Sequence, residues 1–472
     1  MVSARKQLGA WYTPPDLVDA VVDAVITPPF VAGRSRPLAV LDPSCGDGRF
    51  LAAAARRTAS LGACVSLTGC DLDPAAISAA RATLPDDTDL RQADALATVW
   101  PSERFDLVIG NPPYLSQMAA ATTRGGSSRR GGGPYADAAA EFLALAGELV
   151  EPAGGRVALV LPQSMLASRD AGAIRNSLGE RAHMFWSWWS ERRVFDAQVH
   201  VCVVAFEFGV PEPVERRSNW SHVVTSRQGV PAAPTNVQTH GCLGDRARLN
   251  ANFRDEYYGM IPAVGDHENG PHLVTSGLVD PGRSWWGERP ITFARRRYAH
   301  PRVDLGQLDD RMQEWARRRL VPKVLVANQT RLVEAVCDPH GDWLPAVPVL
   351  GVYPTGAHWD DDDRRPIDEL AESAWRIAAV LTSPVASAWL WHRGAGTGLS
   401  ADAIRLSPVT LAALPWPAGD LDVAVAALRK GDVRGCGAGV DSAYGIGDDA
   451  TLFDWWSALL DRVESRQPST AT

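Results

Sequence analysis

The feature that most constrains the fold is a regular alternation of strand-like and helix-like segments over the first two hundred residues. Apolar, strand-like runs occur at 38–45, 64–73, 105–110, 154–162 and 198–209, and segments of helix-forming residues at 48–62, 74–84 and 135–150. Because consecutive parallel strands need a long crossover, usually a helix, this order predicts an α/β fold with a doubly wound, mostly parallel sheet. Such sheets bind ligands at the carboxyl ends of their strands.

The alternation stops near residue 210, where proline and polar residues become frequent. A chain of 472 residues is too long for one ordinary domain, so we expect two or three. The sequence predicts a first domain at 1–210, a linker region at 211–240, a mixed α+β domain at 241–420 and a helical tail at 421–472. One helix-like segment is expected over 372–393.

Composition excludes several classes of protein. No apolar run is long enough to span a bilayer and no signal peptide is recognisable, so we expect a cytoplasmic protein with no membrane partner. The seven cysteines are scattered without a Cys-x-x-Cys pair, which argues against a zinc site and a disulfide framework, and no metal is implied. The net charge of −8 disfavours a polyanionic partner, but such a sum hides local fields.

The segment LDPSCGDGRFL, residues 41–51, reads as a strand, a tight turn and a helix. Gly46 and Gly48 remove side chains where the backbone must curl and approach a ligand, although a lone Gly-x-Gly is also common in structural turns. Asp42 lies beside this turn. Its charge disfavours a pyrophosphate and favours a ligand that carries an ammonium and a sulfonium group.

Two further acids follow later strand-like runs. Asp71 ends the next strand, where a carboxylate can accept hydrogen bonds from both hydroxyls of a ribose. Asp94 could accept from an adenine amino group, although alone it fits an ordinary surface residue. With the glycine turn, these acids describe a pocket for an adenosine with a cationic tail, and S-adenosylmethionine meets that requirement.

The segment FDLVIGNPPYLSQ, residues 105–117, ends a strand on a rigid polar and aromatic turn. Asn111 offers an amide oxygen, and Pro112, which has no N–H, offers only a carbonyl. Two acceptors a few ångströms apart can take both hydrogens of one exocyclic amino group and direct its lone pair at an electrophile, in a geometry set before the substrate arrives. Tyr114 offers a flat face for stacking. The alternative is a proline turn without chemistry.

In their order, these motifs resemble those of the γ-class N6-adenine DNA methyltransferases of restriction–modification systems. The resemblance covers about residues 5–210 and rests on LGAWYTPPDLVDAVVD (8–23), LDPSCGDGRFL, GCDLDP, QADAL, GNPPY, GGRVALVLPQSML (154–166) and WWSERRVFDAQVHVCVVAFE (188–207). It implies a class I S-adenosylmethionine-dependent methyltransferase domain followed by a target-recognition domain. It also implies cofactor contacts from Tyr12, Thr13, Pro14, Pro43 and Asn111.

The family flips its target base out of the duplex, because the amino group is inaccessible inside it. The resemblance therefore implies that Asn111, Pro112, Pro113 and Tyr114 form the catalytic motif. It also implies that Phe195 packs against the flipped adenine, whereas without the motif order Phe195 reads equally well as a core aromatic beside a strand.

Two basic segments are candidates for DNA contact. Residues 122–137 hold five glycines and three arginines, which predicts a mobile loop that brings Arg124, Arg129 and Arg130 to phosphates, or a solvated loop without that role. Residues 283–331 hold twelve Lys or Arg against five acids, with aromatics interleaved, so they carry +7 inside an acidic chain. Within them we single out the members Arg295, Arg296, Arg297 and Lys323, although 311–319 alone reads as an ordinary solvated helix face.

The sequence thus predicts a site-specific DNA methyltransferase that transfers a methyl group from S-adenosylmethionine to adenine N6, directly and in line, on double-stranded DNA. A separate restriction or phage-defence subunit is a further expected partner. The alternatives are methylation of ribosomal RNA, of protein glutamine or of cytosine N4, and a non-catalytic DNA-binding subunit of a defence complex. The same Asn-Pro-Pro-Tyr motif also occurs in ribosomal-RNA and glutamine methyltransferases, so the motif alone does not decide.

Overall fold

A computed structural model describes residues 12–100, 104–114, 130–134, 136–191, 194, 199–232, 237–357, 365–398, 400, 402–446 and 450–465. The chain divides into two compact units. The first comprises 1–224 with 399–401, and the second comprises 225–398 with 402–472.

The first unit is built on one seven-stranded sheet. Its strands are β1 (Leu38–Asp42), β2 (Val65–Asp71), β3 (Asp89–Gln92), β4 (Leu107–Gly110), β5 (Arg156–Pro162), β6 (Ala182–Trp189) and β7 (Val201–Phe208). They lie in the order β3-β2-β1-β4-β5-β7-β6. Strands β1 to β5 pair in parallel, and β7 runs antiparallel to both β5 and β6. The predicted doubly wound, mostly parallel sheet is confirmed.

Helices of the first unit follow from local sequence signals. They are α1 (Pro15–Val25), α2 (Pro28–Val31), α3 (Arg49–Ser60), α4 (Pro74–Thr83), α5 (Ala138–Leu149), α6 (Gly172–Gly179), α7 (Val214–Arg217) and α8 (His222–Thr225). Helix α4 begins with Pro74 at its first position, and the N-cap Asp73 accepts a hydrogen bond of 2.9 Å from the N–H of Ala75. Helix α1 buries Val18, Val21 and Val25, which lie on one face at helical spacing.

The composition-based boundary at residue 210 does not coincide with the structural one. Residues 211–224, assigned to a linker region, lie in the first unit. The Glu212 carboxylate accepts a hydrogen bond from the N–H of Met184 on β6, and Trp220 is buried with its ring 4.9 Å from that of Phe206 on β7. Proline and polar residues here mark turns of packed chain, because a few buried contacts are enough to anchor such a segment.

The second unit contains several small sheets. Its strands are β8 (Thr239–Cys242), β9 (Ala247–Ala251), β10 (Val264–Gly265), β11 (His272–Val274), β12 (Val279–Asp280), β13 (Arg283–Ser284), β14 (Ile291–Phe293), β15 (Arg296–Tyr298), β16 (Arg302–Val303), β17 (Lys323–Val326), β18 (Gln329–Thr330), β19 (Ala335–Asp338), β20 (Trp343–Pro345), β21 (Leu350–Pro354), β22 (Ile404–Arg405) and β23 (Pro415–Pro417). Two four-stranded sheets, β10-β16-β11-β20 and β19-β17-β21-β9, are the largest described in this unit.

The helices of the second unit are α9 (Arg254–Met260), α10 (Asp310–Arg317), α11 (Ile367–Leu381), α12 (Pro384–Gly394), α13 (Pro408–Ala412), α14 (Asp422–Arg429), α15 (Val433–Ala443) and α16 (Ala450–Glu464). The helix-like segment 372–393 is therefore two helices. Ser383 caps the second by accepting a hydrogen bond of 3.1 Å from the N–H of Ala386, and Pro384 takes its first position. A proline inside a continuous helix would lose a hydrogen bond and clash with the preceding turn.

The last fifty residues, predicted as a helical tail, contribute packed helices to this unit. Trp456 on α16 is fully buried, as are Cys436 and Val440 on α15. Over the described ranges, no helix combines the length and apolar character needed to cross a membrane.

Candidate active site

The glycine turn of the first unit lies between β1 and α3. Gly46 and Gly48 both have positive φ, at 54° and 84°, and Gly48 is the N-cap of α3. A Cβ on Gly48 would lie 2.9 Å from a methyl carbon of Leu84. Glycine is needed here because other residues rarely adopt this backbone conformation and because the space behind the turn is filled.

Asp71 at the end of β2 holds this turn from the neighbouring strand. Its Oδ2 accepts a hydrogen bond of 2.8 Å from the N–H of Gly46, and its Oδ1 accepts one of 2.9 Å from the N–H of Asp73. The carboxylate predicted to bind a ribose therefore also fixes the turn. Each oxygen has a second lone pair, so both tasks are chemically compatible.

Asp42 at the end of β1 is buried. Its Oδ1 accepts a hydrogen bond of 3.0 Å from the N–H of Ser44. The pKa of Asp42 is raised to about 8, mainly by burial; the hydrogen bond from Ser44 lowers it, and the nearby charges of Asp71 and Asp47 contribute to the rise. Among the residues described, none forms an ion pair with Asp42. A buried carboxylate in these surroundings favours a cationic ligand.

Asn111 follows β4 and lies between two hydroxyl groups. Its Nδ2 donates a hydrogen bond of 3.1 Å to Oγ1 of Thr13, and its Oδ1 accepts one of 2.5 Å from the hydroxyl of Tyr114. The Tyr114 hydroxyl also lies 3.2 Å from the carbonyl oxygen of Val160 on β5. The N-terminal segment and the motif after β4 are thus joined through the side chain proposed to receive the substrate.

The ring of Tyr114 is less accessible than the sequence analysis predicts. Its side chain is buried, with 8% exposure, and burial raises its pKa well above the ordinary value for tyrosine. The structure shows the ring packed inward rather than offered as an open stacking face. Pro112 is buried and Pro113 is half-buried in the same turn.

The N-terminal segment lies against the glycine turn. A Cβ on Gly46 would be 3.7 Å from the ring of Tyr12, and the guanidinium of Arg49 lies 4.9 Å from the centre of that ring. Arg49 also donates a hydrogen bond of 3.2 Å to the carbonyl oxygen of Thr13. Pro14 is the N-cap of α1 and is half-buried, so Tyr12 to Pro14 run directly past the turn.

The acceptor groups of this site fit S-adenosylmethionine. Asp42 and Asp71 are acceptors at the ends of adjacent strands, and they suit a sulfonium or ammonium group and ribose hydroxyls. A phosphate would meet two carboxylates instead of cations. Pro43 is buried beside Asp42. Asp94 is exposed, and its Oδ1 accepts a hydrogen bond of 2.9 Å from the N–H of Leu96. In this conformation Asp94 therefore stabilises a turn.

Several predicted site residues are not brought to this pocket. Phe195, Arg124 and Arg129 lie outside the described residues. Arg130 is described, and its guanidinium pairs with Glu148 at 3.0 Å with its side chain only 17% exposed. Arg130 is therefore engaged with an acid of α5 and is not presented to solvent for a phosphate.

The basic segment 283–331 separates into paired and unpaired arginines. Members of this segment paired with acids are Arg283, Arg289, Arg317, Arg318 and Arg331. Arg295, Arg296 and Arg297 are all exposed, and none of their three side chains has a hydrogen-bond or ion-pair partner within the part of the chain that the structure covers. The three arginines singled out from the sequence are thus presented to solvent.

Lys323 corrects the sequence-based expectation. Its side chain has no exposed surface, and its Nζ donates a hydrogen bond of 2.5 Å to Oδ2 of Asp338. Burial lowers the pKa of Lys323, while the charge of Asp338 raises it. Lys323 cannot contact DNA, because it is a buried partner that neutralises Asp338 inside the second unit.

Two contributions to the pocket were missed from the sequence. Gly110 approaches Asp42 so closely that a Cβ would lie 2.4 Å from Oδ1. Arg49 supports the N-terminal segment. No local pattern links Gly110 to Asp42 or Arg49 to Thr13, because the partners are far apart in the sequence. Within the described ranges no group of three or more His, Cys, Asp or Glu side chains could hold a metal ion.

Comparisons with solved structures find methyltransferases of low sequence identity. A type I restriction–modification system methyltransferase subunit from Streptococcus thermophilus is 22% identical, with a TM-score of 0.35, over 42% of this chain and 45% of that chain. An rRNA methylase from Streptococcus thermophilus is 15% identical, with a TM-score of 0.28, over 42% of this chain and 99% of that one.

Sequence comparisons give a curated relative and a family. The Type II methyltransferase M.TthHB8I of Thermus thermophilus is 36% identical over 113 residues, which are 24% of this chain and 22% of that protein. The matched stretch thus spans about a fifth of this curated relative. The family model described as "N-6 DNA Methylase" matches residues 2–187. The residues that this family model matches include the glycine turn, Asp71 and Asn111.

Proposed function

We propose that this protein is a site-specific DNA methyltransferase that transfers a methyl group from S-adenosylmethionine to adenine N6. The observation that carries the proposal is the position of Asn111 after β4, beside the acidic pocket of Asp42 and Asp71 on adjacent strands. The family match over residues 2–187 supports the same reaction.

The side chains of this pocket divide the work of binding. Asp71 accepts hydrogen bonds from the ribose hydroxyls while its other lone pairs hold the N–H groups of Gly46 and Asp73. Asp42 offers a negative charge to the cationic end of the cofactor. The bound cofactor supplies an electrophilic methyl group. Transfer is direct, and no side chain needs to form a covalent intermediate.

Asn111 and Pro112 orient the nucleophile. The Oδ1 of Asn111 and the carbonyl oxygen of Pro112 accept the two hydrogens of the adenine amino group, which frees the nitrogen lone pair for attack. In the described conformation the Tyr114 hydroxyl already donates to Oδ1 of Asn111. The amino group therefore has to replace that hydroxyl or share the oxygen with it. Phe195 then holds the unstacked base, and Tyr114 joins it only if its ring leaves the buried position that the structure shows.

The second unit is proposed to recognise DNA. The exposed arginines at 295–297 supply charge for phosphate contact. In the first unit, the glycine- and arginine-rich segment 122–137 is a further candidate for contact with the DNA backbone. A separate restriction or phage-defence subunit is proposed as a further partner of this methyltransferase.

The direct experiment is single-turnover methyl transfer from labelled cofactor to genomic DNA that lacks adenine methylation. Asn111→Ala should reduce the rate by about two to three orders of magnitude, because one preorganised acceptor at the reacting nitrogen is lost. Cofactor and DNA binding, measured in parallel, should change little. Tyr114→Phe is the matched variant and should be mild. An Asn111→Ala protein with the wild-type transfer rate would rule out this mechanism.

The same reaction identifies the base and the recognition site. Single-molecule sequencing of the product DNA should show N6-methyladenine within one repeated sequence. Methylation of cytosine N4, or of ribosomal RNA supplied in the same assay, would instead establish one of the rival activities.

A further inference from the structure

The hairpin of β14 and β15 has an unusual turn. Ile291 to Phe293 pair with Arg296 to Tyr298, which leaves Ala294 and Arg295 as a two-residue loop. Both loop residues have positive φ, at 49° and 64°, and they are the non-glycine residues with positive φ within the described ranges. Such loops favour Asn-Gly, because side chains with a branched or long Cβ substituent are strained in this conformation.

The strained loop is supported from α9. The hydroxyl of Tyr257 accepts a hydrogen bond of 3.2 Å from the N–H of Ala294, and the Tyr257 ring lies 4.8 Å from that of Phe293. On the same helix, Tyr258 is 52% exposed and its ring lies 5.4 Å from that of Tyr257. The preceding Phe253 is 69% exposed.

Both segments also carry exposed arginines. Arg295, Arg296 and Arg297 are exposed at the hairpin tip, and Arg254 lies 5.7 Å from the ring of Tyr258. Two segments about forty residues apart in sequence thus meet through Tyr257, and we call their exposed basic and aromatic side chains the tip surface. Its residues are Phe253, Arg254, Tyr258, Arg295, Arg296 and Arg297.

We propose that the tip surface contacts duplex DNA, with Arg295 held at the tip by the strained turn. The inference rests on the proposed function and names the part of the second unit that meets the polymer. Positive charge suits phosphates, and a two-stranded ribbon has the width of the major groove. Exposed aromatic side chains can pack on sugar or base surfaces beside those phosphates. The loop retains an arginine where glycine would relieve strain.

The test compares two variants of the hairpin turn, both designed to relieve its strain, with the wild-type protein. Ala294→Asn relieves part of the strain and keeps Arg295, so the melting temperature should rise while DNA affinity stays unchanged. Ala294→Asn with Arg295→Gly relieves the strain further but removes the cation. It should melt higher still and bind more weakly to a fluorescein-labelled duplex of mixed sequence. The slope of log affinity against log salt should become shallower by about 0.9 if one phosphate contact is lost.

Matched controls separate the outcomes. Arg317→Ala removes the same charge from an arginine that pairs with Glu314 elsewhere in the unit, and it should leave the slope unchanged. Tyr258→Ala should weaken binding without changing the slope. Equal affinity and slope in the wild type and the double variant would overturn the tip surface. A wild-type protein that binds cofactor but no duplex would contradict the proposed function instead.

A separate observation concerns Thr13, which is 95% buried and makes the 3.1 Å hydrogen bond with Nδ2 of Asn111. A carboxamide is planar, so an amide held through its nitrogen keeps its oxygen on the opposite side. That oxygen is the one that must face the substrate amino group. We infer that Thr13 is a positioning residue, which selects the productive orientation of the Asn111 side chain.

Backbone contacts fix Thr13 itself. Arg49 donates to its carbonyl oxygen, and Thr13 directly precedes Pro14, the N-cap of α1. The restricted backbone of Pro14 and the anchored helix leave Thr13 little freedom. Without the Thr13 hydroxyl, the amide of Asn111 would lose one of the contacts that fix its orientation. In the flipped orientation, a donor would face the donor groups of the substrate.

Thr13→Val keeps the shape of the side chain and removes the hydroxyl, and Thr13→Ser keeps the hydroxyl. In single-turnover transfer to genomic DNA lacking adenine methylation, Thr13→Val should lose roughly tenfold or more in rate, with DNA affinity and melting temperature near wild type. Thr13→Ser should restore the rate. Loss of rate in both variants, or a loss in Thr13→Val fully explained by weaker cofactor binding, would overturn the positioning role. A wild type without transfer activity would instead contradict the proposed function.

Discussion

The carboxylate of Asp42 lies directly against the backbone of Gly110, such that a Cβ on Gly110 would be 2.4 Å from Oδ1 and 2.9 Å from Cγ. The two residues end adjacent parallel strands, β1 and β4. The glycine that precedes the catalytic motif thus leaves room for the acid that is proposed to face the cofactor. Any shift of Gly110 would therefore displace Asp42, and Asn111 directly follows Gly110.

Gly110→Ala should displace Asp42 and weaken cofactor binding. Overpacking of this kind typically costs about 1–3 kcal/mol of stability. Isothermal titration calorimetry and thermal unfolding would measure both effects. Combining Gly110→Ala with Asp42→Ala should recover stability but not cofactor affinity. Gly277→Ala is the control, since a Cβ there meets no atom within 4 Å. Equal effects at both glycines would contradict the close contact.

Cofactor affinity should depend on pH through Asp42. Burial raises its pKa to about 8, so the cofactor-free protein holds a neutral Asp42 below that pH, whereas a cationic ligand favours the charged form. Affinity should therefore rise with pH up to about 8 and then level off, with proton release on binding below it. Calorimetry in buffers of different ionisation enthalpy reports that release. Asp42→Asn should abolish the dependence, and a flat profile in the wild type would count against a buried acid.

The same pKa has a consequence for stability. The folded-state pKa of Asp42 lies above the ordinary value of an exposed aspartate, so the charged form is disfavoured in the folded protein. Its contribution to the free energy of unfolding should fall as pH rises from about 4 to about 8 and stay constant above that. Asp42→Asn should therefore stabilise the cofactor-free protein at alkaline pH and have little effect in acid. Chemical denaturation at several pH values would show the difference.

Asp71→Ala should affect both stability and cofactor binding. The N–H groups of Gly46 and Asp73 would lose their acceptor, at a cost of about 1–3 kcal/mol, and the ribose would lose its partner. Asp73→Ala removes only the N-cap of α4, which should cost about 0.5–2 kcal/mol and leave cofactor affinity intact. Thermal unfolding and calorimetry on both variants separate the two roles. An Asp71→Ala protein with wild-type affinity would place the ribose elsewhere.

Lys323→Ala should destabilise the second unit by about 3–5 kcal/mol, because it leaves Asp338 charged and buried without its partner. Under conditions where the variant is folded, the salt dependence of DNA binding should match that of the wild type. A shallower salt slope without a lower melting temperature would mean that Lys323 reaches DNA after all. The contrast with Arg295 tests whether exposure, rather than local charge count, identifies DNA-contacting cations.

The sequence alone determined the sheet and its ligand-binding edge. Alternating strand and helix signals are local, and in this class of fold the strand ends meet at one edge, so Asp42, Asp71 and Asn111 could be assigned to one pocket. The positive φ values of Gly46 and Gly48 bear out the expected tight turn. The helix over 372–393 was misread as continuous, although Ser383 and Pro384 are a recognisable start signal for a second helix.

Only the tertiary structure decided which side chains are available. The basic segment 283–331 shows one charge pattern in sequence, yet Lys323 is buried against Asp338 while Arg295 stands at a hairpin tip. Exposure and pairing depend on neighbours distant in the chain, and nothing in the local sequence encodes them. For the same reason, the sequence does not reveal the contact between Gly110 and Asp42, which are 68 positions apart. Nor does it reveal the hydrogen bond from Asn111 to Thr13, which are 98 positions apart.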